Sequence, residues 1–398
     1  MTAMSINLEL PTKLAAAVEQ SHAVGEHIFR PVSRKYDKAE HENPTELDDL
    51  GKLIKESKKK RAETAGKPDE GPSKNGVNMI SVLNTLETSW GDVGLTLSIP
   101  YNGLGNAAIA AVADKEQLER FADVWASMAI TEPSFGSDSA AVSTTAVLDG
   151  DDYVINGEKI FVTAGSRADH VVVWATLDRS VGRAAIKSFV VPMDTEGVTV
   201  ARLEHKLGIK ASDTAVLRFE NARVPKENLL GSPEIDTKKG FGGVMQTFDN
   251  TRPLVAGMAV GLARAALEEL RGILEDAGVE IDYDRPAADQ HAAAAEFIRM
   301  EADFEAAYLM TMRATWMADN KMPNSTEASM SKAKAGRSVN DLTNKAVELA
   351  ATAGFSETSL LEKWARDAKI LDIFEGTQQI QQLIIARRLL GKSSAELK

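Results

Sequence analysis

The periodicity of apolar residues changes twice along the chain, and this change limits the fold more than any other feature of the sequence. From about Leu10 to Arg120, apolar residues recur three and four positions apart, which is typical of amphipathic helices. After Pro133 they alternate with polar residues, as in strands, and from Gly240 the helical spacing returns. The 398 residues are enough for several structural units. We therefore expect an N-terminal helical domain over residues 1–126, a β domain over 127–235 and a C-terminal helical bundle over 236–398.

The middle region carries two dipeptides that favour tight turns. Asp149-Gly150 and Asn156-Gly157 lie between alternating apolar segments, which predicts β-hairpins at both places. Further strands are predicted for HVVVWATL from His170, AIKSFVVPM from Ala185, GVTVARL from Gly197 and TAVLRFENARV from Thr214. The middle region is therefore predicted to be an antiparallel β unit.

Charge and composition exclude several classes of function. The chain has 58 Asp and Glu against 46 Lys and Arg, a net charge of −12, which argues against nonspecific binding to nucleic acid or to an anionic membrane. No apolar run approaches the roughly 20 residues of a spanning helix, and the N-terminus lacks the pattern of a signal peptide, so no membrane insertion is expected. Cysteine is absent, which excludes disulfides, thiolate metal sites and cysteine nucleophiles. A cytoplasmic location is the expectation.

Familiar catalytic motifs of other classes are missing. The six histidines are scattered, without HxxxH or HExxH spacing, so no metal site is predicted. The sequence has no Walker-type phosphate loop, and no G-x-S-x-G nucleophile elbow marks a serine hydrolase. Metal catalysis, phosphate-loop chemistry and serine hydrolysis are therefore not predicted.

One carboxylate near the C-terminus is a candidate catalytic base. Glu375 lies in IFEGTQQIQQLII, after two apolar residues and directly before Gly376 and Thr377. The Gly-Thr pair predicts a break between two helices, with Thr377 as the cap of the second. Burial among apolar neighbours would raise the pKa of the Glu375 carboxyl, whereas a helix N-terminus would lower it, so the sign stays open. Glu375 is either a catalytic base or an ordinary charge favoured by the helix dipole.

Several motifs, spread in order along the chain, resemble those of the acyl-CoA dehydrogenase family. They are AITEPSFGSD from Ala129, INGEKIFVTAG from Ile155, GIKASDTAVLRFENARVPKENLLG from Gly208, FDNTRPLVAG from Phe248 and EKWARDAKILDIFEGTQQIQ from Glu362. The resemblance implies a mainly α fold with a β domain: an N-terminal helical domain, an antiparallel β-barrel-like middle domain and a C-terminal four-helix bundle. It also implies FAD as cofactor, an acyl-CoA thioester as substrate and an electron-transfer flavoprotein as partner. It favours Glu375 as the base that removes the thioester α-proton.

The resemblance implies roles for further residues. Those that match flavin-contacting positions are Thr131, Ser137, Phe161, Thr163, Thr377 and Gln379. Those that match the cleft for the pantetheine arm and thioester are Ser137, Phe248, Asp249, Thr251 and Arg252. By residue type alone, the hydroxyl residues would also suit turns or strands, and Phe161 would suit a core, so these roles depend on the resemblance.

Two motifs depart from the family pattern, and both belong to the part that holds the adenosine-diphosphate end of a neighbouring subunit's FAD. In EIDYDRPAADQH, Glu280 stands for the family's arginine, Tyr283-Asp284 for Phe-Gly and His291 for glutamine. In ELAATAG, Glu348 stands for glutamine and Ala351-Thr352 for two glycines. Pyrophosphate favours cationic side chains and closely approaching backbone N–H groups. We therefore predict a hetero-oligomer, α2β2, in which a second acyl-CoA dehydrogenase-like chain supplies this part; a homotetramer is the alternative.

Two other functions remain compatible with the sequence. One is a flavin oxidase on the same fold, which would release hydrogen peroxide, and the other is a non-catalytic partner subunit. Retention of Glu375 argues against the inert subunit, because such a chain has no use for the carboxylate. Fatty, branched and steroid acyl groups are all compatible with the sequence, within a general role in lipid metabolism such as fatty acid β-oxidation.

Overall fold

The computed structural model describes residues 12–64, 76–235, 242–392 and 396, and the side chains of 12–13, 57–64 and 242–250 lie outside this description. Within these residues a helical region, a β-sheet and a second helical region follow one another. The mainly α fold class with a β domain in the middle is thereby confirmed.

The first helical region consists of short and medium helices. They are α1 (Thr12–Val24), α2 (Arg30–Lys38), α3 (Asp48–Thr64), α4 (Val77–Gly91), α5 (Val93–Ser98), α6 (Leu104–Val112) and α7 (Lys115–Arg120). Helix α7 shows why such short helices form. The Asp114 carboxylate accepts the N–H of Gln117, and the Gln117 side chain accepts the N–H of Asp114. This capping box satisfies two N–H groups that a helix start leaves unpaired.

The middle region forms one mixed sheet. Its strands are β1 (Ala126–Ala129), β2 (Thr145–Asp149), β3 (Asp152–Thr163), β4 (His170–Thr176), β5 (Ile186–Pro192), β6 (Val198–Leu203) and β7 (Thr214–Pro225). The order is β1-β4-β2-β3-β7-β6, with β5 beside β4. Pairing is mainly antiparallel, as predicted, but β4 runs parallel to β1 and meets β2 in parallel. Alternating residues such as Ile155, Phe189 and Leu217 form the core of the sheet.

The two predicted hairpin turns have different outcomes. Asp149-Gly150 joins β2 to β3, which confirms the first. The second is wrong, because β3 continues through Asn156-Gly157, with a register shift against β7 next to Gly157. Gly157 has φ 154°, and a Cβ there would lie 2.4 Å from Thr144 Oγ1. The glycine therefore permits a bulge and a close contact, not a reversal of the chain.

The last region is formed by helices again. They are α8 (Gly242–Asp276), α9 (Ala292–Asp319), α10 (Ser325–Leu349), α11 (Ala351–Phe355), α12 (Leu361–Leu371) and α13 (Gln378–Leu390). The Asp319 carboxylate at the end of α9 accepts the N–H groups of Asn78 and Met79 at the start of α4, which caps that helix. In the part of the chain that the structure describes, no helix is both long and apolar enough to cross a membrane.

The chain divides into two compact units, each built from three segments. The first unit comprises Met1–Val32, Pro72–Val93 and Pro253–Leu371, and the second comprises Ser33–Gly71, Gly94–Arg252 and Asp372–Lys398. The core of the first unit includes Leu86, Leu270, Phe297, Leu342 and Trp364, all buried. These units follow packing rather than chain order, so the domain boundaries expected from the sequence stay predictions.

Candidate active site

Glu375 lies in the loop between α12 and α13, where the sequence predicts a break between helices. Its backbone is left-handed, with φ 56°, which is uncommon for a residue with a side chain. Gly376 follows with φ 95°, and a Cβ there would lie 2.4 Å from Gln381 Nε2, so this position requires glycine. Thr377 is the N-cap of α13, and its hydroxyl oxygen accepts the N–H of Ile380 at 3.4 Å. The predicted break and cap are confirmed.

A buried glutamine on α13 holds the backbone of this loop. The Gln381 side chain is fully buried, and its Nε2 donates to the carbonyl oxygens of Glu375 at 2.9 Å and Gly376 at 3.2 Å. Buried amide hydrogen bonds of this kind fix a backbone because breaking them leaves polar groups unpaired. Gln381 therefore positions the residue that carries the carboxylate. Gln381 closes the EGTQQIQ motif, but the motif by itself does not indicate this positioning role.

The Glu375 carboxylate is oriented by a threonine from a distant part of the chain. Thr251 Oγ1 donates to Glu375 Oε2 at 2.8 Å. Thr251 is buried and Glu375 is partly buried. A hydrogen bond to an ionised carboxylate is stronger than one between neutral groups, so it holds the side chain in one orientation.

Three other residues expected in the thioester cleft lie near Thr251 on α8, whereas Ser137 lies on the loop after β1. Arg252 is buried. Phe248 and Asp249 are in the helix, but their side chains lie outside the described residues. The substrate-binding roles of these five residues stay predictions, and the structure adds a role for Thr251 as a partner of Glu375.

The residues predicted to surround a flavin lie on the sheet and at the start of α13. Ile160 N–H donates to the carbonyl oxygen of Thr131 at 2.9 Å, which brings Thr131 beside the strand that carries Phe161 and Thr163. Phe161 is 60% exposed, with φ 57°. Ser137, on the loop after β1, and Gln379, in the first turn of α13, are also exposed. Together with Glu375, all belong to the second compact unit.

Glu132, next to Thr131, is buried, and its hydrogen bonds hold the loop after β1; we call this group of contacts the Glu132 centre. Its carboxylate accepts Lys159 Nζ at 2.8 Å and the backbone N–H and hydroxyl groups of both Ser143 and Thr144. Burial works to raise the pKa of the Glu132 carboxyl, but the Lys159 charge and these hydrogen bonds outweigh it and lower the pKa to about 2. The sequence around Glu132 does not indicate this role, because Lys159 is 27 residues away along the chain.

Comparison with known proteins identifies the family. Residues 127–222 match the acyl-CoA dehydrogenase middle domain, and residues 238–390 match the acyl-CoA dehydrogenase C-terminal domain. The mitochondrial short-chain specific acyl-CoA dehydrogenase of Bos taurus is 36% identical over 314 residues, 77% of this chain and 74% of that protein.

Two further relatives extend the comparison. The caffeyl-CoA reductase-Etf complex subunit CarC of Acetobacterium woodii is 35% identical over 308 residues, 76% of this chain and 79% of that protein. The structure of butyryl-CoA dehydrogenase from Megasphaera elsdenii superposes with a TM-score of 0.85 at 27% identity, over 97% of this chain and 100% of that one. The two domain matches span more than half of the sequence. The chain therefore belongs to the acyl-CoA dehydrogenase family of flavin-dependent oxidoreductases.

Proposed function

We propose that the chain is an FAD-dependent acyl-CoA dehydrogenase that converts an acyl-CoA thioester to the trans-2-enoyl-CoA, with Glu375 as the base. The observation that carries this proposal is the partly buried Glu375 carboxylate, held at 2.8 Å by Thr251 in a loop fixed by Gln381. A base must be aligned with the proton that it removes, and this arrangement supports such alignment. Bound FAD would supply the redox chemistry by accepting the hydride from the β-carbon.

Exposed and partly buried residues of the second unit suit a planar cofactor. Phe161 presents an apolar ring to solvent from the end of β3, where a flat ligand would cover it. Thr131 and Ser137 offer hydroxyl groups on the loop beside that strand. Thr163, Thr377 and Gln379 complete the set that we assign to the flavin. These residue types fit an isoalloxazine, which presents both an apolar face and polar edges.

The proposed role of Glu375 is to accept a proton. Its carboxylate takes the α-proton of the thioester, and the electron pair left behind forms the carbon–carbon double bond as hydride departs from the β-carbon. Thr251 donates to Oε2 of this carboxylate and so holds the group in one orientation. We assign Phe248, Asp249, Arg252 and Ser137 to the acyl-CoA itself. The printed names of the relatives, short-chain and butyryl-CoA dehydrogenases, make butyryl-CoA the first substrate to assay.

Replacing the base tests the mechanism. In E375Q, flavin reduction by butyryl-CoA should slow by about 10²–10⁴-fold, because the amide does not accept the proton. The measurement is anaerobic bleaching of the flavin absorbance in a stopped-flow instrument. The control is E220Q, which alters an exposed carboxylate on β7 in the same unit and should react at the wild-type rate. Equal rates for E375Q and the wild type, at equal flavin content, would exclude Glu375 as the base.

We propose an electron-transfer flavoprotein as the acceptor of the electrons. The support is the relative from Acetobacterium woodii, whose name places it in an Etf complex. Turnover should require that acceptor or a dye, with no hydrogen peroxide formed in air. Stoichiometric peroxide would instead identify an oxidase. A setting in cytoplasmic β-oxidation stays a prediction.

We further propose that the chain works in an α2β2 assembly with a second chain of the same family. The residues that depart from the family's cofactor-holding pattern, namely Glu280, Tyr283, Asp284, His291, Glu348, Ala351 and Thr352, are all exposed. Tyr283 Oη is engaged by Arg271 Nη2 at 2.6 Å, and Glu348 pairs with Lys345 at 2.6 Å. The nearby Phe355 is 82% exposed and lines an open surface concavity of about 610 Å³ together with Glu348 and Ala351. Carboxylates at positions 280 and 348 disfavour pyrophosphate there, which supports the second chain as the source of the missing part.

Expression of the chain alone and with the second chain tests the assembly. Expressed alone, the chain should retain little FAD. Co-expression with the second chain should raise the flavin content and give a larger molecular mass in light scattering. E280R/E348Q should raise the FAD retained by the chain alone, since it removes two carboxylates and adds a cation. E275R, at an exposed position on α8, is the control and should retain no more FAD than the wild type. A flavin-replete homotetramer from the chain alone would contradict the proposal.

A further inference from the structure

Two histidines and a glutamate from separate segments meet in the second compact unit. Glu40 and His41 lie in the turn after α2, and His205 lies in the connection between β6 and β7. Glu40 Oε2 is 3.0 Å from His205 Nδ1, and the two imidazole centroids are 5.1 Å apart. One ligand atom from each residue lies within 4.8 Å of the other two. We define this cluster of Glu40, His41 and His205 as the His-Glu cluster.

The His41 ring lacks the partners that a buried imidazole normally has. Both ring nitrogens are buried, and neither has a hydrogen-bond partner among the residues that the structure describes. Unpaired buried polar atoms are rare because each carries a desolvation penalty. Burial lowers the pKa of His41, with the Lys206 and His205 charges acting in the same direction and Glu40 opposing. An imidazole whose nitrogens have no hydrogen-bond partner has a nitrogen available to a metal ion.

Glu40 is held in place to complete the cluster. Its Oε1 accepts the backbone N–H of Lys206 at 2.8 Å, while Oε2 points to His205. Burial works to raise the pKa of Glu40, but the Lys206 N–H, His205 and the nearby Lys210 charge outweigh it and lower the pKa. An outer hydrogen bond of this kind is what commonly orients a metal-ligating carboxylate.

The two segments are also tied together beside the cluster. Arg167 Nε donates to Asp213 Oδ1 at 2.7 Å, and Arg167 Nη1 donates to Asn43 Oδ1 at 3.0 Å. Asn43 follows the Glu40–His41 turn, and Asp213 ends the connection that carries His205. These contacts connect the two segments beside the three side chains, and a fixed backbone lowers the cost of ordering a binding site.

Two lysines lie near the His-Glu cluster, and one of its contacts resembles a surface ion pair. Lys206 and Lys210 act against a bound cation, although Lys206 Nζ donates to the Ser212 carbonyl at 2.8 Å. The pair of Glu40 with the 85% exposed His205 could by itself be an ordinary surface ion pair. A surface ion pair between Glu40 and His205 does not explain the two unpaired nitrogens of His41. A metal ion bound to one of these nitrogens explains why the His41 ring lies beside Glu40 and His205.

We propose that the His-Glu cluster binds one zinc ion, which ties the turn after α2 to the connection between β6 and β7. Zinc accepts imidazole nitrogen and carboxylate oxygen at about 2.0–2.2 Å, whereas magnesium and calcium prefer oxygen alone. Closing the cluster to those distances requires His205 to turn inwards, which its exposed side chain permits. The three protein ligands leave a fourth position for water. The site is structural, and it does not depend on the reaction proposed above.

Zinc binding to the full-length protein tests the proposal. After treatment with a chelator, the wild type should bind one zinc per chain in equilibrium dialysis with elemental analysis, and zinc should raise its Tm. H41N and H205N should each weaken binding by at least about 10-fold, because one of three ligands is lost. The control is H27N, since His27 is 71% exposed beside Glu26 and lies in the first compact unit. H27N should bind zinc and gain Tm as the wild type does.

Two outcomes would overturn the proposal. One is a wild-type protein that binds no zinc, and the other is zinc binding that H41N and H205N leave unchanged. H205N keeps the test decisive if H41N does not fold, because the His205 side chain is exposed and contributes little to the core. The absorption of cobalt in place of zinc reports whether the bound ion is tetrahedral and whether H205N removes that signal.

Discussion

At the scale of single residues, the hydroxyl of Thr251 is the contact that connects the candidate base to the rest of its unit. Sequence motifs indicate Glu375 and Thr251 separately, one in IFEGT and one in FDNTRP. Nothing in either motif indicates that the two side chains share a hydrogen bond, since 124 residues separate them. Short motifs report which residues are present, whereas their pairing depends on how α8 and the α12–α13 loop pack.

Removing the Thr251 hydroxyl should weaken the proposed catalysis without removing the base. In T251V, flavin reduction by substrate should slow about 10-fold or more, because a hydrogen bond to a charged group contributes about 1.5–3 kcal/mol. The flavin content of the variant should equal that of the wild type. T199V, at an exposed threonine on β6, is the matched control and should reduce its flavin at the normal rate. A normal rate in T251V would show that Glu375 is oriented by other groups.

At the scale of secondary-structure elements, local pattern predicts strands and helices well but not their irregularities. Asp149-Gly150 makes the predicted turn, and Asn156-Gly157 does not, although both dipeptides favour turns. The difference is tertiary. β3 pairs with β7 on both sides of Gly157, and Thr144 fills the space beside it. Pairing over a long strand therefore overrides the local turn preference.

The Glu132 centre, which joins the loop after β1 to β3, should make stability depend on acid pH. Its pKa is lowered from 4.5 to about 2 in the folded chain, so its contribution is fully present above pH 4.5 and is lost as the pH falls towards 2. At neutral pH, the free energy of unfolding of E132Q should be about 3 kcal/mol lower than that of the wild type. Urea denaturation at several pH values should show this difference shrinking below pH 4.5. A difference that stays constant with pH, as expected for the exposed control E220Q, would contradict this role.

At the scale of the whole molecule, both compact units are assembled from segments that lie far apart in the chain. In the first unit, Lys363 Nζ contacts Asp92 Oδ2 at 2.7 Å and Asp367 Oδ2 at 2.5 Å, and all three side chains are buried. Burial works to lower the pKa of Lys363, but the two carboxylates outweigh it and raise the pKa above its usual value. The charged group thus joins α12 to the residue that follows α4.

Loss of this lysine should destabilise the first unit strongly. K363M leaves two buried carboxylates without their cation, and removal of one partner from a buried ion pair costs about 3–5 kcal/mol. Denaturant unfolding followed by circular dichroism measures the effect. K369M, on the exposed side of the same helix, should change stability by no more than about 0.5 kcal/mol. Equal stabilities of the two variants would mean that water or neighbouring groups replace Lys363.

The sequence by itself determined the order of helices and strands, the family resemblance and the choice of Glu375, because these depend on periodicity and on short motifs. Only the tertiary structure decided that Thr251 holds Glu375, that Glu132 joins Lys159, and that His41 lies beside His205. No histidine spacing in the sequence predicted a metal site, since Glu40 and His205 are 165 residues apart. Such contacts form when packing brings distant segments together. The local sequence around each residue does not determine which distant residue it will contact.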